Sequence, residues 1–229
     1  MQRIILIKFF IIIKNKSERI KNKNFVKVNN IPLYKYLLSE LKNERVYIDT
    51  DSKKILRNKE ISTYKNFVIY KRKQKYIDLE TSDSFKVSPV YFLIDNFINN
   101  YCKMEDIIVC SHVTSPFIKK KTIYKAIKFL EKGYDSISSV TYHHEFALLK
   151  NKKKYMNINF NNKVVNKTQD LNPIILMNGA FFIFKAKTFK KYKSRYSKKH
   201  HFYEIKYPES IDINYPEDLN LARNYALSK

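Results

Sequence analysis

Short apolar runs alternate along the chain with stretches in which apolar residues recur every three or four positions. The first pattern is typical of buried strands and the second of amphipathic helices. We predict strands over residues 3–13, 45–49, 66–70, 106–111, 134–141 and 174–185, and helices over residues 31–43, 89–100, 122–132 and 215–226. This alternation indicates an α/β protein whose mostly parallel sheet is built with right-handed crossovers.

Residues 142–175 break the alternation. They are polar, rich in lysine and asparagine and weakly periodic, which is typical of hairpins or of an excursion from the main sheet. No repeat, low-complexity linker or Gly/Ser/Pro-rich boundary divides the 229 residues. This length suits one sizeable domain, so we treat residues 1–229 as a single unit.

The apolar run Ile4–Ile13 is too short to span a bilayer. Lys14, Asn15 and Lys16 follow it, where a secretory signal would have a small-residue cleavage site. We interpret the run as a buried first strand. No other segment approaches transmembrane length, so we expect a cytoplasmic protein without a membrane partner.

The net charge of +24 draws attention to nucleic acid, acidic membranes and anionic substrates. The lysines are spread along the whole chain, however, and a solvated charged surface explains them equally well. Charge alone therefore selects no partner, and we do not expect nucleic acid. The two cysteines, Cys102 and Cys110, form neither a disulfide framework nor a metal-like cluster.

Ligands of parallel sheets bind where the strands end, so the loops after the strands are the candidate sites. The loop after the first strand carries six basic residues between Lys14 and Lys27. It is well placed to hold phosphates, although a solvated lysine-rich loop has the same composition. Because the loop lacks glycine, it is not a Walker-type cradle.

Two further loops follow predicted strands. Asp49-Thr50-Asp51 can hold a metal, cap the next helix or pair with lysines. The segment His112–Pro116 places polar side chains where they can touch a ligand, and it also reads as a helix-entry turn.

Two later features carry candidate chemistry. Asn178-Gly179-Ala180 interrupts a bulky strand, which indicates either a bulge or a ligand contact. Asp212 lies between apolar residues, so its carboxylate requires a basic partner, donors or a divalent metal. The final helix follows at once, with Asn214-x-x-Glu217 as a predicted capping box.

In their order and spacing these elements resemble the acylneuraminate cytidylyltransferase family. The family's Ala-Arg-x-x-Ser-Lys-x-x-x-x-Lys-Asn loop is matched at Lys14, Ser17, Lys23 and Asn24, and its Gln-Pro-Thr-Ser-Pro-Leu-Arg motif at residues 112–118. Further matches are Asp49-Thr50-Asp51, Arg72, Asp135-Ser136, His143-His144, Thr168-Gln169-Asp170-Leu171, Asn178-Gly179-Ala180 and Asp212-Ile213-Asn214.

The resemblance implies the nucleotide-diphosphosugar transferase fold, a Rossmann-like three-layer α/β sandwich. It also implies a homodimer in which the excursion at about 142–175 reaches the partner subunit. The implied reaction joins CTP and an acidic nonulosonic-type sugar, such as sialic acid, to give a CMP-sugar and pyrophosphate. The implied cofactor is Mg²⁺.

The resemblance also implies roles for individual residues. Lys23 and Asp212 are the expected catalytic residues, and Asp212 and Asn214 the expected metal ligands. The expected nucleotide contacts are Lys14, Ser17, Asn24, Arg72 and Ser82. The expected sugar contacts are His112, Thr114, Ser115, Gln169, Asn178, Gly179 and Phe181.

Several positions depart from the family pattern. Lys14 replaces an arginine, which loses bidentate geometry toward phosphate, and His112 replaces a glutamine. Asn214 replaces the second aspartate of the metal pair, so metal affinity should fall. Two alternatives stay open: a transferase of the same fold that uses another nucleotide or sugar, and a diverged, non-catalytic basic binding protein.

Overall fold

The computed structural model describes residues 5–81, 89–164 and 167–228. The strands are β1 (Ile7–Ile13), β2 (Lys27–Val28), β3 (Ile31–Pro32), β4 (Val46–Thr50), β5 (Phe67–Lys71), β6 (Ile107–Ser111), β7 (Ser136–His143), β8 (Leu148–Asn151), β9 (Lys154–Asn157), β10 (Ile174–Lys185) and β11 (His200–Glu204). The α-helices are α1 (Leu33–Glu40), α2 (Lys53–Leu56), α3 (Lys59–Ser62), α4 (Gln74–Thr81), α5 (Val90–Tyr101), α6 (Lys120–Ile127), α7 (Ala186–Tyr192) and α8 (Pro216–Leu227).

Seven strands form the main sheet in the order β11-β7-β10-β6-β1-β4-β5. β10 runs antiparallel to β6 and β7, and the other four pairs are parallel. The predicted α/β class and mostly parallel sheet are therefore confirmed. Only β10 enters the sheet in the opposite direction, and it does so between β6 and β7.

The main sheet lies between two layers of helices, and successive side chains of β1 point alternately toward one layer and the other. Phe9, Ile11 and Ile13 lie in one buried cluster with residues of α1 and α6. Phe10 belongs to a second buried cluster, with α5 and α7, and stacks on Phe97 with ring centroids 4.6 Å apart. Because the run is buried on both faces, it is apolar at nearly every position.

Lys8, inside the same apolar run, is nearly fully buried. Its ammonium donates to Asp106 at 2.7 Å, and the Asp106 side chain is also almost fully buried. The run therefore tolerates one cation because a partner strand supplies its carboxylate. Among the described residues, no helix is long and apolar enough to cross a membrane.

A third, smaller buried cluster joins α8 to the hairpin β2–β3. It includes Val28, Leu33, Ile213 and Leu219, with Ile213 fully enclosed. The N-cap of α8 is Tyr215, one residue later than the predicted Asn214. The Asp218 carboxylate, rather than that of Glu217, accepts the backbone N–H groups of Asn214 and Tyr215 at 2.8 Å. This packing holds the segment before α8 against the body of the protein.

Residues 142–175, the predicted excursion, contain a separate hairpin. β7 and β10 extend beyond the main sheet, and β8 and β9 pair as a separate antiparallel hairpin. The sequence pattern indicated neither β11 nor α7. β11 is a half-exposed edge strand that begins with two histidines, so it lacks the continuous apolar run that marks the central strands.

Candidate functional site

A cleft of about 380 Å³ opens at the edge of the sheet where β1 and β6 end. The loop after β1, the loop after β6 and the segment before α8 form its walls. It is lined by eight of the predicted site residues: Lys14, Ser17, Lys23, Asn24, His112, Thr114, Asp212 and Asn214. Residues separated by up to 200 positions in the chain thus meet in one place.

The loop after β1 is held by the segment after the neighbouring strand β4. The Thr50 hydroxyl donates to the Ile13 carbonyl at 2.6 Å, and the Asn15 backbone N–H donates to Asp51 Oδ1 at 2.6 Å. The buried Asn24 amide donates to the Lys14 carbonyl at 2.9 Å. Thr50 and Asp51 therefore position the basic loop.

In this loop, which lacks glycine, an asparagine adopts the left-handed conformation that glycine usually takes. Asn22 adopts a left-handed backbone, with φ of 54°, directly before a 3₁₀ helix over Lys23–Phe25. Asparagine tolerates this conformation better than other residues with a Cβ. The resulting turn directs Lys23 toward the segment before α8.

Lys23 connects all three walls of the cleft. Its ammonium donates to the Ile213 carbonyl at 2.8 Å, and the Ile213 N–H donates to the Thr114 carbonyl at 2.8 Å. Burial lowers the pKa of Lys23 below its usual value of 10.5, while the nearby Asp212 carboxylate acts in the opposite direction. The ammonium is thus partly desolvated, which strengthens its attraction for a bound anion.

Asp212 and Asn214 form a small polar network with Arg19. The Asn214 amide donates to Asp212 Oδ2 at 2.6 Å, and the Arg19 guanidinium donates to Asn214 Oδ1 at 2.8 Å. The described residues contain no group of three or more acidic, histidine or cysteine side chains able to hold a metal.

This donor set fits Mg²⁺ only in part. Mg²⁺ is usually held by one or two carboxylates together with substrate phosphates, and Asp212 can supply one carboxylate. Asn214 can join it only after its oxygen is released by Arg19.

His112 forms another wall of the cleft. Burial lowers the pKa of His112 to about 4, and the positive charge of Arg195 contributes in the same direction. The imidazole is therefore neutral at neutral pH. Gly179 lies against this ring with φ of 72°, and the β7–β10 register shifts between Met177 and Phe182. Of the two interpretations of Gly179, a bulge or a ligand contact, the register shift supports the bulge, and the left-handed backbone explains the glycine.

Ser115 and Asn178 lie behind the cleft. Ser115 is fully buried, and its hydroxyl points to Asp212 Oδ1 over a long 3.4 Å. The Asn178 oxygen accepts from Ser139 Oγ at 2.6 Å, while its amide nitrogen is buried without a partner among the described residues.

Three other predicted site residues lie outside the cleft. Phe181 is enclosed in the core with 0% exposure, so its side chain does not line the cleft, and its contact with the sugar stays a prediction. Arg72 is also enclosed and pairs with Asp49 at 2.5 Å, so it does not line the cleft. Gln169 is exposed in a 3₁₀ helix on the excursion. Ser82 lies outside the described residues.

Sequence reasoning passed over several residues that line the cleft. Lys16 and Arg19 line it beside Lys14 and Lys23, and Val90 closes it at the start of α5. Arg19 and Lys16 belonged to the basic stretch but to no motif position. Two tertiary contacts distinguish Arg19 from its neighbours: the hydrogen bond to Asn214, 195 positions away, and the ring of Tyr215, whose centroid is 5.0 Å from the guanidinium carbon.

A mostly parallel sheet between two helical layers, with a basic cleft where its strands end, is the nucleotidyltransferase type of α/β fold. The family model described as cytidylyltransferase matches residues 10–226, nearly the whole chain. The protein therefore belongs to the cytidylyltransferase family. The match bears on the family and not on its acylneuraminate branch.

Two solved structures share this fold along almost their full length. One is a 4-diphosphocytidyl-2C-methyl-D-erythritol synthase from Anaerococcus prevotii, with 11% identity, a TM-score of 0.63 and coverage of 97% of this chain and 96% of that one. Another synthase with the same name has 6% identity, a TM-score of 0.65 and coverage of 98% and 100%. At these identities the likeness concerns the fold. No curated protein sequence matches the chain significantly.

Proposed function

We propose that this cytidylyltransferase activates an acidic nonulosonic-type sugar with CTP, releasing pyrophosphate. One observation carries the proposal: the cleft brings a partly desolvated Lys23 next to Asp212, at the sheet edge where nucleotides bind in such folds. Both reactants are anions. A site for them must offset their mutual repulsion and the charge that develops during phosphoryl transfer.

The charges of the cleft suit a triphosphate. Four cationic side chains line it, and two carboxylates accompany them: Lys14, Lys16, Arg19 and Lys23, against Glu18 and Asp212. The surplus of positive charge is placed on one loop, which Thr50 and Asp51 hold at its base. In this proposal Lys14 and Ser17 contact the phosphates. The Asn24 amide positions Lys14 by donating to the backbone carbonyl of Lys14.

Lys23 is the proposed catalytic cation. The anomeric hydroxyl of the sugar attacks the α-phosphorus of CTP and loses its proton to solvent. The bond from the α-phosphorus to the oxygen that bridges it to the β-phosphorus breaks, and pyrophosphate leaves with the electron pair. An ammonium preorganised by the Ile213 carbonyl needs no reorientation when negative charge develops on the phosphate. Asp212 would hold Mg²⁺, which when bound neutralises phosphate charge and orients the reacting groups. Asn214 would join it once Arg19 turns to a phosphate.

The neutral imidazole of His112 lies on the proposed sugar side with Thr114. A neutral ring both donates and accepts hydrogen bonds, which suits the hydroxyl groups of a sugar. The buried amide nitrogen of Asn178, which lacks a partner among the described side chains and backbone groups, is a further donor on this side.

A second candidate substrate comes from the solved structures. Their names specify 4-diphosphocytidyl-2C-methyl-D-erythritol, and they overlap this chain along 97–98% of its length. A phosphorylated methylerythritol is therefore the acceptor to test against the acidic sugars.

The deciding experiment measures pyrophosphate release with CTP and Mg²⁺ over a panel of acceptors. The panel contains N-acetylneuraminate, its deaminated analogue, legionaminate, pseudaminate, Kdo and 2C-methyl-D-erythritol 4-phosphate. We expect release with one of the nonulosonic acids. Release with the methylerythritol phosphate alone would replace the acidic sugar in the proposal. ATP, GTP and UTP serve as controls for the nucleotide.

We also propose a homodimer formed through the excursion. Half of the exposed large apolar side chains of the described residues lie in the excursion and the two residues after it: Tyr142, Phe146, Leu148, Leu149, Tyr155, Met156, Ile158, Val164, Ile175, Leu176 and Met177. Such a concentration of apolar surface is typical of an interface. Because the reaction draws on the nucleotide pool, the proposed location is the cytoplasm.

A further inference from the structure

The loop between α7 and β11 brings one arginine back onto the sheet beside the cleft. α7 ends at Lys193, whose left-handed backbone with φ of 49° reverses the chain. Two residues later, the guanidinium carbon of Arg195 lies 3.7 Å from the ring centroid of Phe182 and 5.8 Å from that of Tyr91. The two aromatic rings fix the orientation of the planar guanidinium.

Arg195 differs from Lys8 and Arg72, the two cations that are enclosed among the described residues. Lys8 pairs with Asp106 at 2.7 Å, and Arg72 pairs with Asp49 at 2.5 Å. The Nε atom of Arg195 is buried without a hydrogen-bond partner, and no carboxylate of residues 5–81, 89–164 or 167–228 pairs with its guanidinium. The residue as a whole is half-buried, so part of it remains accessible. A buried donor without a partner is costly, so this group is suited to an anion that arrives from outside.

The position of Arg195 relates it to the proposed sugar side of the cleft. The ring of Phe182, on which it stacks, is 6.1 Å from the ring of His112, which lines the cleft. Tyr91 directly follows Val90, another lining residue. The charge of Arg195 also contributes to the lowered pKa of His112, so the two groups are close enough to interact electrostatically.

We propose that Arg195 binds the carboxylate of the sugar and thereby selects acidic sugars over neutral ones. The inference rests on the proposed function, because it assumes that the acceptor is an acid. A forked guanidinium stacked on Phe182 presents paired donors, which match the two oxygens of a carboxylate. Arg195 would then be a specificity-determining residue, while the phosphates remain with the cations of the first loop.

The test compares acids with their neutral esters and does not require turnover. Binding of N-acetylneuraminate, legionaminate and pseudaminate, and of their C1 methyl esters, is measured by calorimetry with CDP present. We expect the wild type to bind one acid about 30-fold more tightly than its ester, as expected for a lost charge-assisted pair. Arg195→Gln should reduce that ratio to near one and leave CDP binding unchanged, and Arg195→Lys should restore part of it. The matched control is Arg223→Gln, an exposed arginine on α8.

Each outcome has a defined meaning. If no acid binds the wild type more tightly than its ester, or if Arg195→Gln keeps the ratio, the assignment of Arg195 is overturned. In the second case the acidic-sugar function still stands. If the ratio depends on Arg195 but CTP gives no pyrophosphate release with any acid, the proposed reaction fails while the carboxylate site stands. If Arg195→Gln does not fold, Arg195→Lys decides: an undiminished acid-to-ester ratio in this variant overturns the bidentate contact.

Discussion

The cleft and the excursion use side chains in opposite ways. In the cleft, charged groups such as Lys23 and Asp212 point inward and are partly desolvated. In the excursion, apolar groups such as Leu149 and Met156 point outward, with 50% and 52% exposure. Both arrangements cost free energy in a single chain. A charged group loses its hydration when it is partly buried, and an exposed apolar side chain remains in contact with water. This contrast supports the two proposals, that the cleft binds anions and that the excursion contacts another protein surface.

The largest effect should come from the carboxylate of the cleft. Asp212→Ala should lower Mg²⁺-dependent pyrophosphate release about 1,000-fold or more, because no other carboxylate of the described Asp212–Asn214 network can hold the ion. The matched control is Glu105→Ala, an exposed carboxylate next to the start of β6, at the opposite edge of the sheet. Circular dichroism should show both variants folded. Near-full activity of Asp212→Ala would exclude it as the metal ligand.

The second effect should come from the cation of the cleft. Lys23→Ala should cost about 2–4 kcal/mol of transition-state stabilisation, a loss of about 30- to 1,000-fold in kcat/KM, because one preorganised donor is removed. Lys187→Ala, which removes the exposed partner of Glu105, is the control. A loss of less than tenfold for Lys23→Ala would contradict a catalytic role.

The third test addresses the excursion. Leu149 and Met156 are direct cross-strand partners in the β8–β9 hairpin, so they lie on one face. Changing both to lysine should weaken the proposed dimer about 100-fold, because two apolar side chains lose their burial and four charges meet across a symmetric contact. Sedimentation velocity over a concentration series measures this. Leu221→Lys, an equally exposed position on α8, should leave association unchanged. A monomeric wild type would remove the dimer from the proposal.

The smallest effect concerns acid stability. His200 bonds to Ser136 Oγ and Ser138 Oγ, and burial lowers the pKa of His200 to about 4. Between pH 6.5 and pH 4 the unfolded chain therefore binds more protons than the folded protein, so stability is lost as the pH falls. Urea unfolding at pH 7 and pH 4.5 should show a drop that is about 1 kcal/mol smaller in His200→Gln than in the wild type. Equal drops would show that His200 does not contribute.

The core strands and four of the eight described helices, α1, α5, α6 and α8, could be predicted because their signal is local. The short helices α2, α3 and α4 were not predicted. β1, β4, β6 and β10 are apolar runs that both faces of the sheet bury, so the sequence shows them directly. α7 and β11 escaped prediction because their contacts are made with distant parts of the chain. His200 and Phe202 of β11, for example, pair with Ser136 and Ser138 across 64 positions.

The candidate site was predictable to the extent that it lies in loops directly after strands. Lys14, Lys23, His112 and Asp212 all line one cleft, as a parallel sheet requires of loops at one edge. Phe181 and Arg72 do not line the cleft, because position along the chain does not tell which face a side chain takes or what partner encloses it. Arg195 was missed because its surroundings are aromatic rings from α5 and β10.

By itself, the sequence determined the α/β class, the order of the central strands along the chain and the basic loop, because periodicity and local composition encode all three. Only the tertiary structure decided which cations are paired and which are not. Lys8 and Arg72 have carboxylates about 98 and 23 positions away, whereas Arg195 lies on a phenylalanine. Charge pairing depends on distances of a few ångströms between segments that fold together, and no linear pattern records those distances.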